Sequence, residues 1–121
     1  GAMAAGVITV TLVWQASAPS DEPLQVTVQL LDAGGRPVAQ HDGPPAGGAR
    51  PTTGWLPGEY VVDVHALRVP AALLAGPSAD YALVAALYDP LTGTRLPATE
   101  PVGEGLVEVG AVRLGAEAGD R

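Results

Sequence analysis

Residues Tyr81–Pro97, with the sequence YALVAALYDPLTGTRLP, decide the fold of this chain. The first eight residues put apolar side chains on both faces of a β-strand, which predicts a central strand covered on both sides. At Asp89 the chain must reverse, because Pro90 has a fixed φ and no N–H to donate to a strand ladder. Asp89 can accept a hydrogen bond from the backbone two residues on, and Gly93 suits the left-handed conformation that closes a hairpin. The stretch therefore predicts a central strand, a tight turn and a short return strand over Thr94–Leu96.

Alternation of apolar and polar residues predicts strands elsewhere in the chain. The segments Val7–Trp14 and Leu24–Leu30 alternate most regularly, and in the second of them Gln and Thr are expected to face outward. A turn rich in Asp and Gly separates the second segment from a return strand over Val38–Asp42, and a last strand is predicted over Leu106–Leu114.

The segment Tyr60–Val69 is also predicted to be a strand. Its core face is expected to carry Val62, Val64 and Ala66, with Asp63 and His65 on the opposite face in water. Pro70 ends this strand, and one helical turn is predicted over residues 71–75 because Gly76 and Pro77 prevent a longer helix.

Together these segments predict one all-β domain of about seven antiparallel strands. Short strands separated by turn signals are typical of an immunoglobulin-like or fibronectin-like β-sandwich, and a small β-barrel is the alternative. The domain is expected to span residues 7–114. Residues 1–6 are assigned to a tail that begins with the remnant of a cleaved tag, and residues 115–121 to a flexible C-terminal tail.

Composition excludes several classes of function. The chain has 121 residues, a formal net charge of −7 and no lysine, so it lacks the basic surface that nucleic acid binding requires. The absence of cysteine excludes disulfides and thiolate metal sites. The longest apolar run is far shorter than the roughly 20 residues that a membrane-spanning helix needs, so direct membrane insertion is not expected.

Two short motifs contain both histidines of the chain. They are His41-Asp42 and Asp63-x-His65, and each joins an imidazole to a carboxylate. Paired across strands, they would supply ligands for a divalent metal or an acid–base pair. The alternative is that both histidines face water, or that His41 and Asp42 stabilise the Gly- and Pro-rich loop that follows them. We predict no metal, no cofactor and no catalytic residue. Serines occur only in predicted loops and none lies in a GxSxG motif, so the chain is not expected to be an enzyme.

The few aromatic residues suggest a ligand surface. Trp55 follows the Gly- and Pro-rich segment Gly43–Pro51 and precedes Pro57, so it is expected to be exposed and able to stack on a sugar ring. Alternatively, it folds back as a lid on the sandwich. The predicted ligand-binding residues are Trp55, Tyr60, His41, Asp42, Asp63 and His65.

Five motifs support a resemblance to a known family. They are Trp14-Gln15-Ala16, the block from Leu30 to Pro45, Trp55-x-Pro57-Gly58-Glu59, Asp63-x-His65 and the block from Leu87 to Leu96. The chain resembles, from Val7 to Leu114, a β-sandwich domain at the extracytoplasmic C-terminus of large polytopic membrane proteins of thermophilic and GC-rich bacteria. Those proteins are similar to dolichyl-phosphate-mannose-type glycosyltransferases. The resemblance implies that any chemistry belongs to the membrane part, and it implies no catalytic residue here.

The expected function is therefore that of a non-catalytic accessory domain of an exported or membrane-anchored bacterial protein, for example a glycosyltransferase. Its expected partners are a glycan or a neighbouring domain of the same protein, and its expected location is extracytoplasmic. A carbohydrate-binding module and a structural spacer or adhesin-type repeat are the alternatives.

Overall fold

A computed structural model describes residues 4–97 and 105–116 of the chain. The strands, in chain order, are β1 (Ala4–Gln15), β2 (Gln25–Leu31), β3 (Pro37–Gly43), β4 (Tyr60–Pro70), β5 (Ala79–Tyr88) and β6 (Val107–Leu114). One short helix, α1 (Ala71–Ala75), follows β4, and two 3-10 turns, Pro45–Gly48 and Thr52–Gly54, lie between β3 and β4.

The strands form two antiparallel sheets that pack face to face. Sheet A contains β1 and β4, and sheet B has the order β3-β2-β5-β6. The predicted β-sandwich is thus confirmed, and the sheets of the described residues do not close into a barrel. The described residues form six strands where about seven were predicted for the chain, and the return strand Thr94–Leu96 is reduced to a single bridge between Arg95 and Tyr88.

The core lies between the two sheets and follows the predicted alternation of β1 and β2. Every second residue of these strands points inward, and burial of each such side chain contributes about 1.5–3 kcal/mol. The buried residues of the main cluster are Val10, Leu12, Val26, Val28, Leu30, Leu67, Leu83 and Ala85.

The turn after β5 has the predicted chemistry. The Asp89 carboxylate accepts a hydrogen bond from Leu91 N at 2.9 Å, and Gly93 has a φ of +76°. Strand β5 is central in sheet B, between β2 and β6, and residues 83–86 are buried. The central strand and the tight turn predicted for the deciding stretch are therefore confirmed, whereas its return strand is not formed.

The polar face of β2 differs from the prediction. Thr27 and Gln29 do point away from the core, but they are only 2% and 6% exposed. The chain after β5 lies against this face, where Gly93 and Arg95 line the same pocket as these two residues. The outer face of sheet B is therefore covered there.

The two faces of β4 are the reverse of the prediction. Asp63 and His65 are 0% and 3% exposed, whereas Val62 and Val64 are 59% and 54% exposed. The side chains on the same face as Asp63 include Val61, Leu67 and Val69, all fully or almost fully buried. Because residue parity fixes the face along a strand, burying these three aliphatic residues carries Asp63 and His65 inside.

The described part of the chain extends slightly beyond the predicted domain. β1 begins at Ala4 rather than Val7, and Ala116 forms a parallel bridge with Pro77. The rest of the predicted tails, residues 1–3 and 117–121, lies outside the described residues.

Candidate functional site

The two histidines meet between the sheets. His41 lies on β3 of sheet B and His65 on β4 of sheet A, and their Nδ1 atoms are 3.1 Å apart. The ring centroids are 5.2 Å apart, so the rings meet nearly end to end, which is the geometry of an N–H···N hydrogen bond. The structure therefore brings the two histidines together across the two sheets, an arrangement that the sequence left open.

Asp63 anchors this pair inside the protein. Its Oδ2 lies 2.7 Å from His65 Nε2 and accepts a hydrogen bond from Trp14 Nε1 at 3.0 Å. Its Oδ1 accepts a hydrogen bond from Ala46 N at 2.8 Å. The expectation that Asp63 and His65 face water is wrong, since the carboxylate is fully buried and has three donors around it.

The hydrogen bonds indicate which nitrogen atoms of this Asp63–His65–His41 array carry a proton. With Asp63 as acceptor, His65 Nε2 donates, and His65 Nδ1 is then free to accept the Nδ1–H of His41 when both rings are neutral. Both nitrogens of His65 are thereby occupied. Among the described residues, no group of three or more His, Asp or Glu side chains is arranged to hold a metal ion.

The array also holds a strained loop in place. Ala46 has a φ of +53°, a conformation that costs a non-glycine residue about 1 kcal/mol or more. Its N–H is the donor to Asp63. The buried carboxylate therefore joins sheet A to the loop after β3, while the histidines join sheet A to sheet B.

Asp42 belongs to a second, separate network on the outer face of sheet B. It follows His41 on β3 and so points the opposite way. Its Oδ1 accepts hydrogen bonds from Thr27 Oγ1 at 3.0 Å and Gln40 Nε2 at 2.8 Å, and its Oδ2 accepts one from Tyr88 OH at 2.8 Å. The structure therefore divides the predicted His41-Asp42 motif between two sites.

These bonds shift two pKa values. Burial by itself would raise the pKa of the Asp42 carboxyl, but hydrogen bonds from Gln40, Tyr88 and Thr27, with the adjacent His41, lower it below its ordinary value. The pKa of the Tyr88 phenol is raised, first by burial and then by its hydrogen bond to the Asp42 carboxylate. Both shifts favour an ionised Asp42 that accepts a hydrogen bond from the neutral Tyr88 hydroxyl.

The two aromatic candidates lie apart from both networks. Trp55 is 5% exposed, packs with Ala16 and Val61, and donates its indole N–H to Arg50 O at 2.9 Å. The prediction that Trp55 is exposed is wrong, because its ring packs against Ala16, next to the end of β1, and Val61 of β4, as in the alternative that it folds back onto the sandwich. Tyr60 is 66% exposed on the outer face of sheet A, opposite to the face that carries Asp63.

An apolar groove lies along the outer edge of β1, and no sequence motif indicated it. In the described part of the chain, β1 pairs only with β4. The groove has a volume of about 330 Å³. Its walls are Thr11, Leu12, Val13, Trp14, Ala85, Val107 and Val109, none of them charged. Such a groove depends on which strands become neighbours, so alternation within single strands could not reveal it.

Comparisons with protein-family models, with curated proteins and with solved structures gave no match to this chain. The family resemblance drawn from the sequence motifs therefore stays a prediction. No helix of the described residues has the length and hydropathy needed to cross a membrane.

Proposed function

We propose that this chain is a non-catalytic accessory β-sandwich domain that docks by accepting one extended segment of a partner polypeptide along β1. The observation that carries the proposal is the unequal width of the two sheets. Sheet A has two strands and sheet B has four, and β1 lies beside an apolar groove whose other wall comes from β5 and β6. One additional strand beside β1 would cover that wall.

The edge of β1 differs from the other sheet edges of the described chain. The twelve residues AAGVITVTLVWQ contain no charge and no proline, which are the features that normally prevent strand addition at an edge. The outer edge of β4 faces the loop after β3, where Ala46 bonds to Asp63. The edge strand β3 begins with Pro37 and carries Asp42, and the edge strand β6 carries Glu108 and Arg113. Strand addition is therefore favoured at β1.

The groove indicates the chemistry of the added segment. Its apolar walls favour aliphatic side chains at every second position, and the absence of charge on those walls favours an uncharged stretch in a protein of net charge −7. A single segment fits better than the same edge of a second copy. Val107 and Val109 of β6 line the same groove as β1, so an added strand would have to lie against β6 as well as β1.

The remaining parts of the proposal rest on sequence. Membership in an exported or membrane-anchored bacterial protein, an extracytoplasmic location and a glycosyltransferase as parent rest on the family resemblance. The net charge of −7 disfavours nucleic acid as the partner, because both would be negatively charged.

Strand addition is testable with synthetic peptides. The probes are capped ten-residue peptides with Val, Ile or Leu at alternate positions and Thr or Ser between them. We expect binding to slow hydrogen exchange of the β1 amides that face away from β4, and to shift the methyl signals of Val107 and Val109.

Two lysine variants provide a matched comparison. Val109 lines the groove and is 44% exposed, and Val64 lies on the outer face of sheet A and is 54% exposed, so both positions should tolerate lysine. Val109→Lys should abolish peptide binding and Val64→Lys should preserve it. Unperturbed β1 amides across the peptide panel, or equal binding by Val109→Lys, would refute the proposal.

A further inference from the structure

A polar pocket lies on the outer face of sheet B, away from the edge of β1. Its volume is about 190 Å³, and its walls are Thr27, Gln29, Gln40, Asp42, Tyr88, Gly93 and Arg95. The floor consists of Thr27 and Gln29, which are 2% and 6% exposed although they point away from the hydrophobic core. Polar side chains are rarely buried without a hydrogen-bonding role, so their position at the base of a pocket suggests a binding surface.

Hydrogen bonds fix the positions of the polar groups in this pocket. Asp42 accepts from Thr27, Gln40 and Tyr88, and Gln29 Nε2 donates to Thr27 Oγ1 at 3.3 Å. A carboxylate has about four lone-pair sites, and these bonds use three of them. A ligand hydroxyl would therefore meet an acceptor that is already oriented, which lowers the entropy cost of binding.

The charges in the pocket favour a neutral ligand. Asp42 contributes one negative charge and Arg95 one positive charge, with two amides and one phenol around them. The lowered pKa of Asp42 keeps its carboxylate ionised, which disfavours phosphate and other anions. Groups that both donate and accept hydrogen bonds at close spacing match the neighbouring hydroxyls of a sugar.

The volume limits the size of this ligand. With a volume of about 190 Å³, the pocket has room for several water molecules, and a pyranose ring with its hydroxyls is of that order of size. Pockets for drug-sized ligands are usually about 300 Å³ or larger. The open pocket therefore suits one sugar unit of a glycan whose remainder stays in solvent.

We infer that this pocket binds a single pyranose unit, with Asp42 accepting a hydrogen bond from one of its hydroxyls and Gln29, Gln40 and Tyr88 surrounding it. This site is independent of strand addition at β1. It also differs from the sugar surface expected from the sequence, because Trp55 is buried and Asp42 takes its place as the principal contact.

The side-chain amides provide a direct test. The chain has four glutamines and no asparagine, so its side-chain NH₂ spectrum contains four pairs of signals. Gln29 and Gln40 line the pocket, whereas Gln15 ends β1 in sheet A. In an NMR titration with a panel of neutral monosaccharides, we expect at least one sugar to shift the Gln29 and Gln40 signals with saturation at millimolar concentration, while Gln15 stays unchanged.

Three variants separate this site from nonspecific binding. Asp42→Asn should weaken sugar binding at least tenfold, and Tyr88→Phe should weaken it several-fold. Asp80→Asn, which alters an exposed carboxylate paired with Arg113, should bind normally. A folded backbone spectrum for each variant confirms that the comparison concerns binding.

Three results would overturn the inference. They are the absence of a saturable shift at Gln29 and Gln40 with every sugar of the panel, equal shifts at Gln15, and undiminished binding by folded Asp42→Asn. Inorganic phosphate is the anion probe, and a saturable shift with phosphate that exceeds the shifts with the sugars would also overturn it.

Discussion

At the scale of single residues, Asp63 is the carboxylate on which most of the buried polar contacts depend. Replacing it with alanine would leave the N–H groups of Trp14, His65 and Ala46 without their acceptor in a site that is fully buried. Leaving one buried donor without its acceptor typically costs about 1–3 kcal/mol, so three such donors together cost about 3 kcal/mol or more. We expect Asp63→Ala to lower the free energy of unfolding by about that amount, measured by urea denaturation at neutral pH.

Two further variants serve as references for the loss of stability in Asp63→Ala. Asp63→Asn keeps one carbonyl acceptor and should lose less stability than Asp63→Ala. Asp80→Ala, whose side chain is 79% exposed, should unfold close to the wild-type urea midpoint. If Asp63→Ala were as stable as Asp80→Ala, the Asp63–His65–His41 array would not contribute to the free energy of unfolding.

Asp42 gives a prediction about pH. Its pKa is lowered in the folded state, so its contribution to stability is present above the ordinary carboxyl pKa of about 3.9 and is lost as pH falls through the folded value. Tyr88→Phe removes one of the hydrogen bonds that lower this pKa. We therefore expect Tyr88→Phe to raise the pKa of Asp42, measured by NMR titration of its carboxyl carbon.

Tyr60→Phe is the control for this titration. Tyr60 is 66% exposed on sheet A and belongs to the opposite side of the sandwich. Its loss of a hydroxyl should leave the pKa of Asp42 unchanged. If both variants moved that pKa equally, the hydrogen bond from Tyr88 could not be the cause of the shift.

At the scale of elements, local patterns predicted strands and turns well and failed where one strand depends on another. The alternation of β2 and the Asp89 turn require only neighbours in sequence, and both were predicted. In β4 each face carries three or four apolar residues, so the pattern alone did not choose between them. Arg68 on the exposed face and Leu67 on the buried face did favour the observed orientation. Asp63 and His65, which share the buried face with Leu67, favoured the opposite one.

The candidate site was predicted less well for the same reason. Asp63 could enter the core because Trp14 on β1 and Ala46 in the loop after β3 donate to it, and these partners are 49 and 17 residues away in sequence. Trp55 is buried because Ala16 and Val61 leave space for its ring. Neither condition is visible in the residues next to Asp63 or Trp55.

The end of β6 provides a prediction about backbone geometry. Gly115 has a φ of +114°, and a Cβ there would lie 2.5 Å from Pro77 O. Gly35, in the turn between β2 and β3, has a φ of +79° with no atom within 4 Å of such a Cβ. Gly35→Ala should cost about 1–2 kcal/mol from φ alone, and Gly115→Ala should cost more because the backbone must also move.

Thermal unfolding of the two alanine variants tests this difference. Both substitutions add the same methyl group, so the excess cost at Gly115 measures the close approach of the β6 end to Pro77. An equal loss at both positions would mean that this end of the chain adjusts without cost.

At the scale of the whole molecule, the net charge and an exposed apolar face have opposite effects on self-association. The outer face of sheet A carries Val7, Val13, Val62 and Val64, each more than half exposed, on a protein of net charge −7. Repulsion between like-charged molecules keeps them apart at low ionic strength. Salt shortens the screening length from about 10 Å at 0.1 M to about 3 Å at 1 M, while leaving apolar attraction in place.

Self-association through this valine face should therefore increase with salt, as measured by analytical ultracentrifugation between 0.05 and 1 M NaCl, about the range over which that screening changes. Val62→Lys should weaken association at 1 M salt about tenfold, since a lysine charge must lose water in the contact.

Leu91→Lys introduces the same charge at a residue that is 80% exposed on the turn after β5, outside the valine face. If Leu91→Lys weakened association as much as Val62→Lys, the effect would come from net charge and not from contact between valine faces. If wild-type association did not increase with salt, the −7 charge would not be what keeps this apolar face soluble.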